Sequence, residues 1–300
     1  MLKTHSYDRK PAVAGYFYPS KPVELRETIS QLFQHSLGPG KEPVVAERFI
    51  EDIVGYIAPH AGYMYSGPVA SHVYYDLASR GRFDTAIIIG TNHTGLGSLI
   101  SVYPGGEWIT PLGRVKVDSE LAKRVVDYSE LAELDTDAHI EEHSVEVQIP
   151  FLQYLYGENF TILPIVVGLH TVEASRDLAK AIRRAVDETG RRIVLIASSD
   201  FNHYEPYDIT KEKDMLAIRR ILELDSEAFY RTVIDNNISI CGPGGIMTLI
   251  EYAKISYPVE ELEAVLLKYA NSGDVSGDRG YVVGYASLRI GRGRGHSRKQ

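Results

Sequence analysis

What most narrows the fold of this sequence is a set of short, unbroken Val/Ile runs separated by longer stretches of helical period. Ile53-Val54-Gly55-Tyr56-Ile57-Ala58, Thr85-Ala86-Ile87-Ile88-Ile89-Gly90 and Ile193-Val194-Leu195-Ile196-Ala197 carry almost no polar side chain. A strand that is apolar at every position must be covered on both faces, the condition of a parallel sheet between helices. Strands are expected at 53–58, 85–90, 160–167, 192–198, 263–270 and 280–288. Helices are expected at 22–35, 67–79, 118–129, 142–156, 172–189, 210–223, 226–235 and 244–255. Thr171 can cap the helix 172–189, and Gly190 follows it. The segments 99–103 and 113–117 read as a hairpin or an edge excursion. The class is α/β: one layered domain over 1–290 around a central, mostly parallel or mixed sheet, then a basic tail at 291–300.

Composition excludes several classes. No apolar run approaches the roughly 20 residues of a membrane span. Lys3, His5, Asp8, Arg9 and Lys10 interrupt any signal-peptide pattern. One cysteine in 300 residues leaves no internal disulfide and suits a reducing compartment, so a cytoplasmic protein is expected. A net charge of −8 argues against a nucleic-acid-coating surface. The Arg-Gly tail 291–300 is read as a solubilising terminus.

Polar signatures follow directly after the apolar runs. His60 follows the first, in Ala58-Pro59-His60-Ala61-Gly62, and His93 the second, in Gly90-Thr91-Asn92-His93. Asp200 and His203 follow the third, in Ser199-Asp200-Phe201-Asn202-His203. Ile238-Ser239-Ile240 reads as a further strand-like segment that delivers Cys241 into Gly242-Pro243-Gly244-Gly245. In open α/β sheets ligands bind outside the carboxyl ends of the strands. Imidazole is the commonest metal ligand and the natural acid/base near neutral pH. A helix opening after Cys241 would favour its thiolate. Three histidines, an aspartate and a thiol at strand ends therefore point to a metal or catalytic site. His139, His143 and Glu146 are spaced to share a helix face, and Glu141 and Glu142 read as the acidic first turn of that helix. His143, Glu146 and Tyr63 are site-lining candidates. No G-x-S-x-G elbow surrounds Ser199, which weakens a hydrolase triad of Ser199, His203 and Asp200.

These motifs, with Arg9-Lys10-Pro11-Ala12-Val13-Ala14-Gly15-Tyr16-Phe17-Tyr18-Pro19, Ser66-Gly67-Pro68, Glu142-His143-Ser144-Val145-Glu146, Cys241-Gly242-Pro243 and Asn271-Ser272-Gly273-Asp274-Val275-Ser276-Gly277-Asp278, resemble those of the Memo family nearly end to end. The resemblance implies a fold similar to class III extradiol dioxygenases, non-haem iron enzymes that cleave catechol rings. It matches His60 and His93 to two histidine ligands, Cys241 to a third ligand, and Asp200 and His203 to pocket residues. A thiolate is a soft ligand, so iron or copper is expected and zinc is compatible. A thiolate facing dioxygen is open to oxidation, so ring cleavage does not follow from the fold. The functional expectation is a metal-dependent redox enzyme with His203 as acid/base assisted by Asp200. The alternatives are a non-catalytic module using the same cleft for a peptide or small anion, and zinc-dependent hydrolysis.

Overall fold

The computed structural model describes residues 7–293. Its strands are β1 (Ile53–Ala58), β2 (Thr85–Thr91), β3 (Ile100–Val102), β4 (Glu107–Thr110), β5 (Gly113–Val117), β6 (Ala132–Leu134), β7 (Thr161–Val167), β8 (Ile193–Ser198), β9 (His203–Glu205), β10 (Leu262–Asn271) and β11 (Val282–Arg292). The helices are α1 (Pro22–Gln34), α2 (Tyr63–Arg80), α3 (Ser119–Tyr128), α4 (Ile149–Tyr156), α5 (Val172–Thr189), α6 (Tyr207–Leu222), α7 (Ser226–Asp235), α8 (Pro243–Ser256) and α9 (Ser272–Ser276).

All eleven strands join one mixed sheet, whose main path runs β10-β11-β1-β8-β2-β7-β3-β6. At its centre β1, β8, β2 and β7 are mutually parallel, and β11 and β3 flank them antiparallel. The central strands are buried at nearly every position, as their composition requires. Ile87 and Ile89 of β2 belong to the core shared by α3, α5, α6, α7 and α8, whereas Ala86 and Ile88 belong to the core shared by α1, α2 and α4. Each such isoleucine withdrawn from water contributes about 1.5–3 kcal/mol. The result is a single three-layer domain with two cores back to back. Among the described residues no helix is long and apolar enough to cross a membrane.

Four expectations change. Residues 99–103 and 113–117 do not pair as a hairpin: β3 lies between β7 and β6, and β5 turns back onto β4. The two-residue link Pro111-Leu112 makes the nearer segment the partner. The helix expected at 142–156 starts only at Ile149, after a 3₁₀ turn at Glu146–Gln148. Pro150 suits the first turn of a helix, where its missing N–H is no loss, and the polar side chains before it are drawn into tertiary hydrogen bonds. Helix α2 opens at Tyr63, four residues before the expected start, with Pro68 inside it. Finally, β11 takes in Gly291 and Arg292 from the expected tail, and 294–300 lie outside the described residues.

Candidate metal centre

Because β1, β8, β2 and β7 are adjacent and parallel, their carboxyl ends bring four loops to one edge of the sheet. His60 follows β1, Asp200 follows β8, His93 follows β2 and His170 follows β7. Two glycines make the closest approaches possible. A Cβ on Gly90 in β2 would lie 2.3 Å from Ser144 Oγ, so only glycine lets the loop carrying His143 settle there. One on Gly242 would lie 2.7 Å from the Ser198 carbonyl, where the start of α8 and Cys241 meet the end of β8.

His60, His93 and His143 each offer a ring nitrogen within 4.8 Å of the others. The His93 and His143 rings stack at 4.5 Å, and the His60 ring stands perpendicular to both at 5.3 Å. Cys241 Sγ lies outside this trio but 3.1 Å from His60 Nε2, and it accepts a hydrogen bond from the Asp200 N–H at 3.2 Å. The tautomer of His60 follows from its neighbour. Ser198 Oγ donates its single proton to the Ser144 carbonyl and accepts from Gln148 Nε2. It must therefore also accept from His60 Nδ1, 3.1 Å away. That leaves the Nε2 lone pair facing the sulfur. His203 is held alike, its Nδ1–H donated to the Ser239 carbonyl at 2.7 Å.

The electrostatics are those of a crowded, partly dry pocket. Burial, then the neighbouring His143 and His93, hold His60 well below the ordinary histidine range. Burial takes His143 down to about 4. Burial would raise Glu142, but the His93 hydrogen bond and the charges of His93 and His143 bring it to about 2. Asp200 is pushed up to about 6 by burial, against the N–H groups of His60 and Ala61 that its Oδ1 accepts. Burial and the Asp200 charge raise the Cys241 thiol, contrary to the lowering expected from the amino end of α8.

The residues singled out in the sequence are distributed as follows. His60, His93 and His143 come together, Cys241 sits beside His60, and Asp200 and His203 border the same cleft. Cys241 arrives from a loop and not from a strand: 238–240 lie outside the sheet, because the Ser239 N–H and C=O bind the side chains of Asn202 and His203. Glu146 has both oxygens engaged elsewhere, by Arg9, the Ala12 and Val13 N–H groups and the Tyr18 hydroxyl. It latches residues 9–18 onto the loop of His143. Tyr63 donates its hydroxyl to the Val147 carbonyl, and its ring packs against Tyr18 and Phe151. Ser199 donates to the Asp200 carbonyl and bonds no histidine, so no Ser199-His203-Asp200 triad forms.

The Memo family profile, described as Memo-like protein, matches residues 9–289. The chain belongs to the Memo family. A MEMO1 family protein of Desulfurococcus amylolyticus is 57% identical over 282 residues, covering 94% of this chain and 98% of that relative. Others from Ignicoccus hospitalis and Aeropyrum pernix are 50% and 47% identical over 282 residues, covering 94% of this chain and 98% and 99% of their own.

In this Memo-family chain the sequence reading missed the residues that hold the histidines. Glu142, which reads in sequence as an acid of a helix's first turn, is fully buried and hydrogen-bonded to His93. Ser198 and Gln148 carried no signal, because a serine at a strand end has many uses. His170, also silent in the sequence, accepts the Gly244 N–H and hydrogen-bonds Thr91 Oγ1, which in turn donates to the Cys241 carbonyl. It thereby ties the end of β2 to the start of α8.

Proposed function

We propose that this cleft is a metal-dependent redox site in which His60, His93 and His143 hold one transition-metal ion and Cys241 offers a sulfur donor beside His60. The observation that carries the reading is the trio itself: three imidazoles from three separate loops present donor atoms within 4.8 Å of one another. Donors at 2.0–2.3 Å from one ion are separated by roughly 3–4 Å, and the 3.1 Å between Sγ and His60 Nε2 falls in that range. Nitrogen donors with one sulfur suit iron, copper or zinc, and iron or copper fits the redox reading. When bound, such an ion supplies a Lewis acid and, if it is iron or copper, a one-electron couple.

The chain's own groups do the remaining work. His203 keeps its Nε2 lone pair without a hydrogen bond among the described residues, so it can accept a proton from a bound molecule. Asp200, brought to about 6, can give or take one near neutral pH while Oδ1 holds the His60 loop. His93, with 35% of its side chain exposed, marks the open side of the cleft. We assign the protein to the cytoplasm, where a single thiol stays reduced. The non-catalytic alternative draws support from Tyr204, which is 72% exposed, packs against His203 and suits an apolar peptide segment. Elemental analysis of protein purified without air separates the two readings. About one iron or copper per chain in the wild type, lost in His93→Ala and Cys241→Ser, is the expected result. Ligand binding that survives complete metal removal would favour the module, and absence of any transition metal would end the enzymatic reading.

A further inference from the structure

The three histidines are not held in the same way. His60 is oriented by a neutral hydroxyl, whereas His93 and His143 lie against one fully buried carboxylate. Glu142 Oε1 accepts from His93 Nδ1 at 2.9 Å and from the Ser144 N–H at 2.8 Å, and lies 3.5 Å from His143 Nδ1. Its Oε2 accepts the backbone N–H of His93 at 2.8 Å. No lysine or arginine side chain pairs with this carboxylate among the described residues, so its partners are the groups that build the site. We infer that Glu142 is the positioning residue of the centre: it holds His93 in the Nδ1–H tautomer and keeps the His93 and His143 loops in register.

An ionised carboxylate can only accept, so the proton between it and His93 must sit on Nδ1. His93 Nε2 is then left with a lone pair on the side away from Glu142. The backbone contact to His93 and the one to Ser144 set the loops at the same time, so one side chain controls both ring identity and ring position. Glutamine could not replace it. Whichever way the amide turned, its NH₂ would meet either the His93 N–H or the Ser144 N–H, donor against donor. Glu141 next door is exposed and makes none of these contacts, which makes it the natural control.

This inference rests on the metal-site reading only in its affinity arm. Histidine tautomers in metal-free protein are read from ¹⁵N–¹H long-range NMR correlations, and zinc affinity from competition with a chromophoric chelator. Wild type should show both His60 and His93 as Nδ1–H. In Glu142→Gln either amide orientation sets an NH₂ against a backbone N–H, so zinc affinity should fall 10- to 100-fold while the His60 tautomer stays unchanged. Glu141→Gln should match wild type in both measurements. A wild-type His93 found as Nε2–H overturns the inference even if Glu142→Gln fails to fold. Equal zinc affinity in folded Glu142→Gln and wild type also overturns it. Wild type that binds no zinc would defeat the metal reading alone, and the tautomers would then decide the role of Glu142.

Discussion

The two ends of the central strands are both rich in ionisable groups, and they use them in opposite ways. At the amino ends Asp84, Glu107, Asp118 and Glu120 each lie against an arginine. Arg192 grips Asp84 through two nitrogens, and Arg191 bridges Asp118 and Glu120. A cleft of about 840 Å³ lies there, lined by Arg82, Asp84, Arg114, Asp118 and Arg191 among others. At the carboxyl ends the side-chain carboxylates of Glu142 and Asp200 have no lysine or arginine partner among the described residues, and histidines turn their rings toward one another. Paired charges satisfy one another and shape a surface; converging imidazole donors are the arrangement that the proposed metal site requires. Cavity volume alone therefore does not single out a candidate site, and the pairing state of the side chains distinguishes the two ends.

The contrast can be broken first at the latch beneath the site. Arg9 and Glu146 form a buried ion pair at 2.5 Å, and Arg9 also donates to the carbonyls of His139 and Glu142. Arg9→Met leaves a buried carboxylate without its cation, and denaturant unfolding should show a loss of about 3–5 kcal/mol. A loss under 1 kcal/mol would mean that the loop of His143 is held by other means.

A second, intermediate effect concerns Asp214, which accepts from the Asn202 N–H and the Tyr269 hydroxyl beneath the loop of His203. Burial raises this acid from 3.8 to about 7. The folded protein therefore keeps a proton that the unfolded chain releases above about pH 4. Stability from this group falls as pH rises from about 4 to about 7 and is level above that. Asp214→Asn should remove that slope and be neutral or stabilising at pH 7; an unchanged slope would refute the assignment. The smallest effect belongs to the far end. Arg192→Ala breaks a half-exposed pair that solvent screens, so stability should change little, and it should leave metal binding as it was. A change in metal affinity would blur the distinction between the two ends.

Much of this arrangement was legible in the residues alone. Continuous Val/Ile runs placed the four central strands to within a residue or two, and Thr171 does cap α5, accepting from the Ala174 N–H, with Gly190 in the left-handed conformation after it. His60 and His93 were legible because a strand end fixes where the next residues point. Three things were not. His143 looked helical because its spacing to Glu146 is also that of a helix, yet tertiary hydrogen bonds from Glu142, Ser144 and Glu146 outweigh one marginal turn. Glu142 was hidden because acids are common at helix starts, and its burial depends on Gly90, Arg9 and His93 meeting in space. The third was the approach of Cys241: Ser239 pairs with side chains, which no alternation of apolar residues reveals.

Among the described residues the proposed ligand set lies at the carboxyl ends of the central strands and not in the amino-end cleft. Anomalous diffraction from crystals grown with iron or zinc, recorded at the metal's absorption edge, tests it directly. The account predicts one strong peak per chain, bounded by His60, His93 and His143, with Cys241 on the His60 side. No peak there, or a stronger one in the cleft of Asp84 and Asp118, would contradict it.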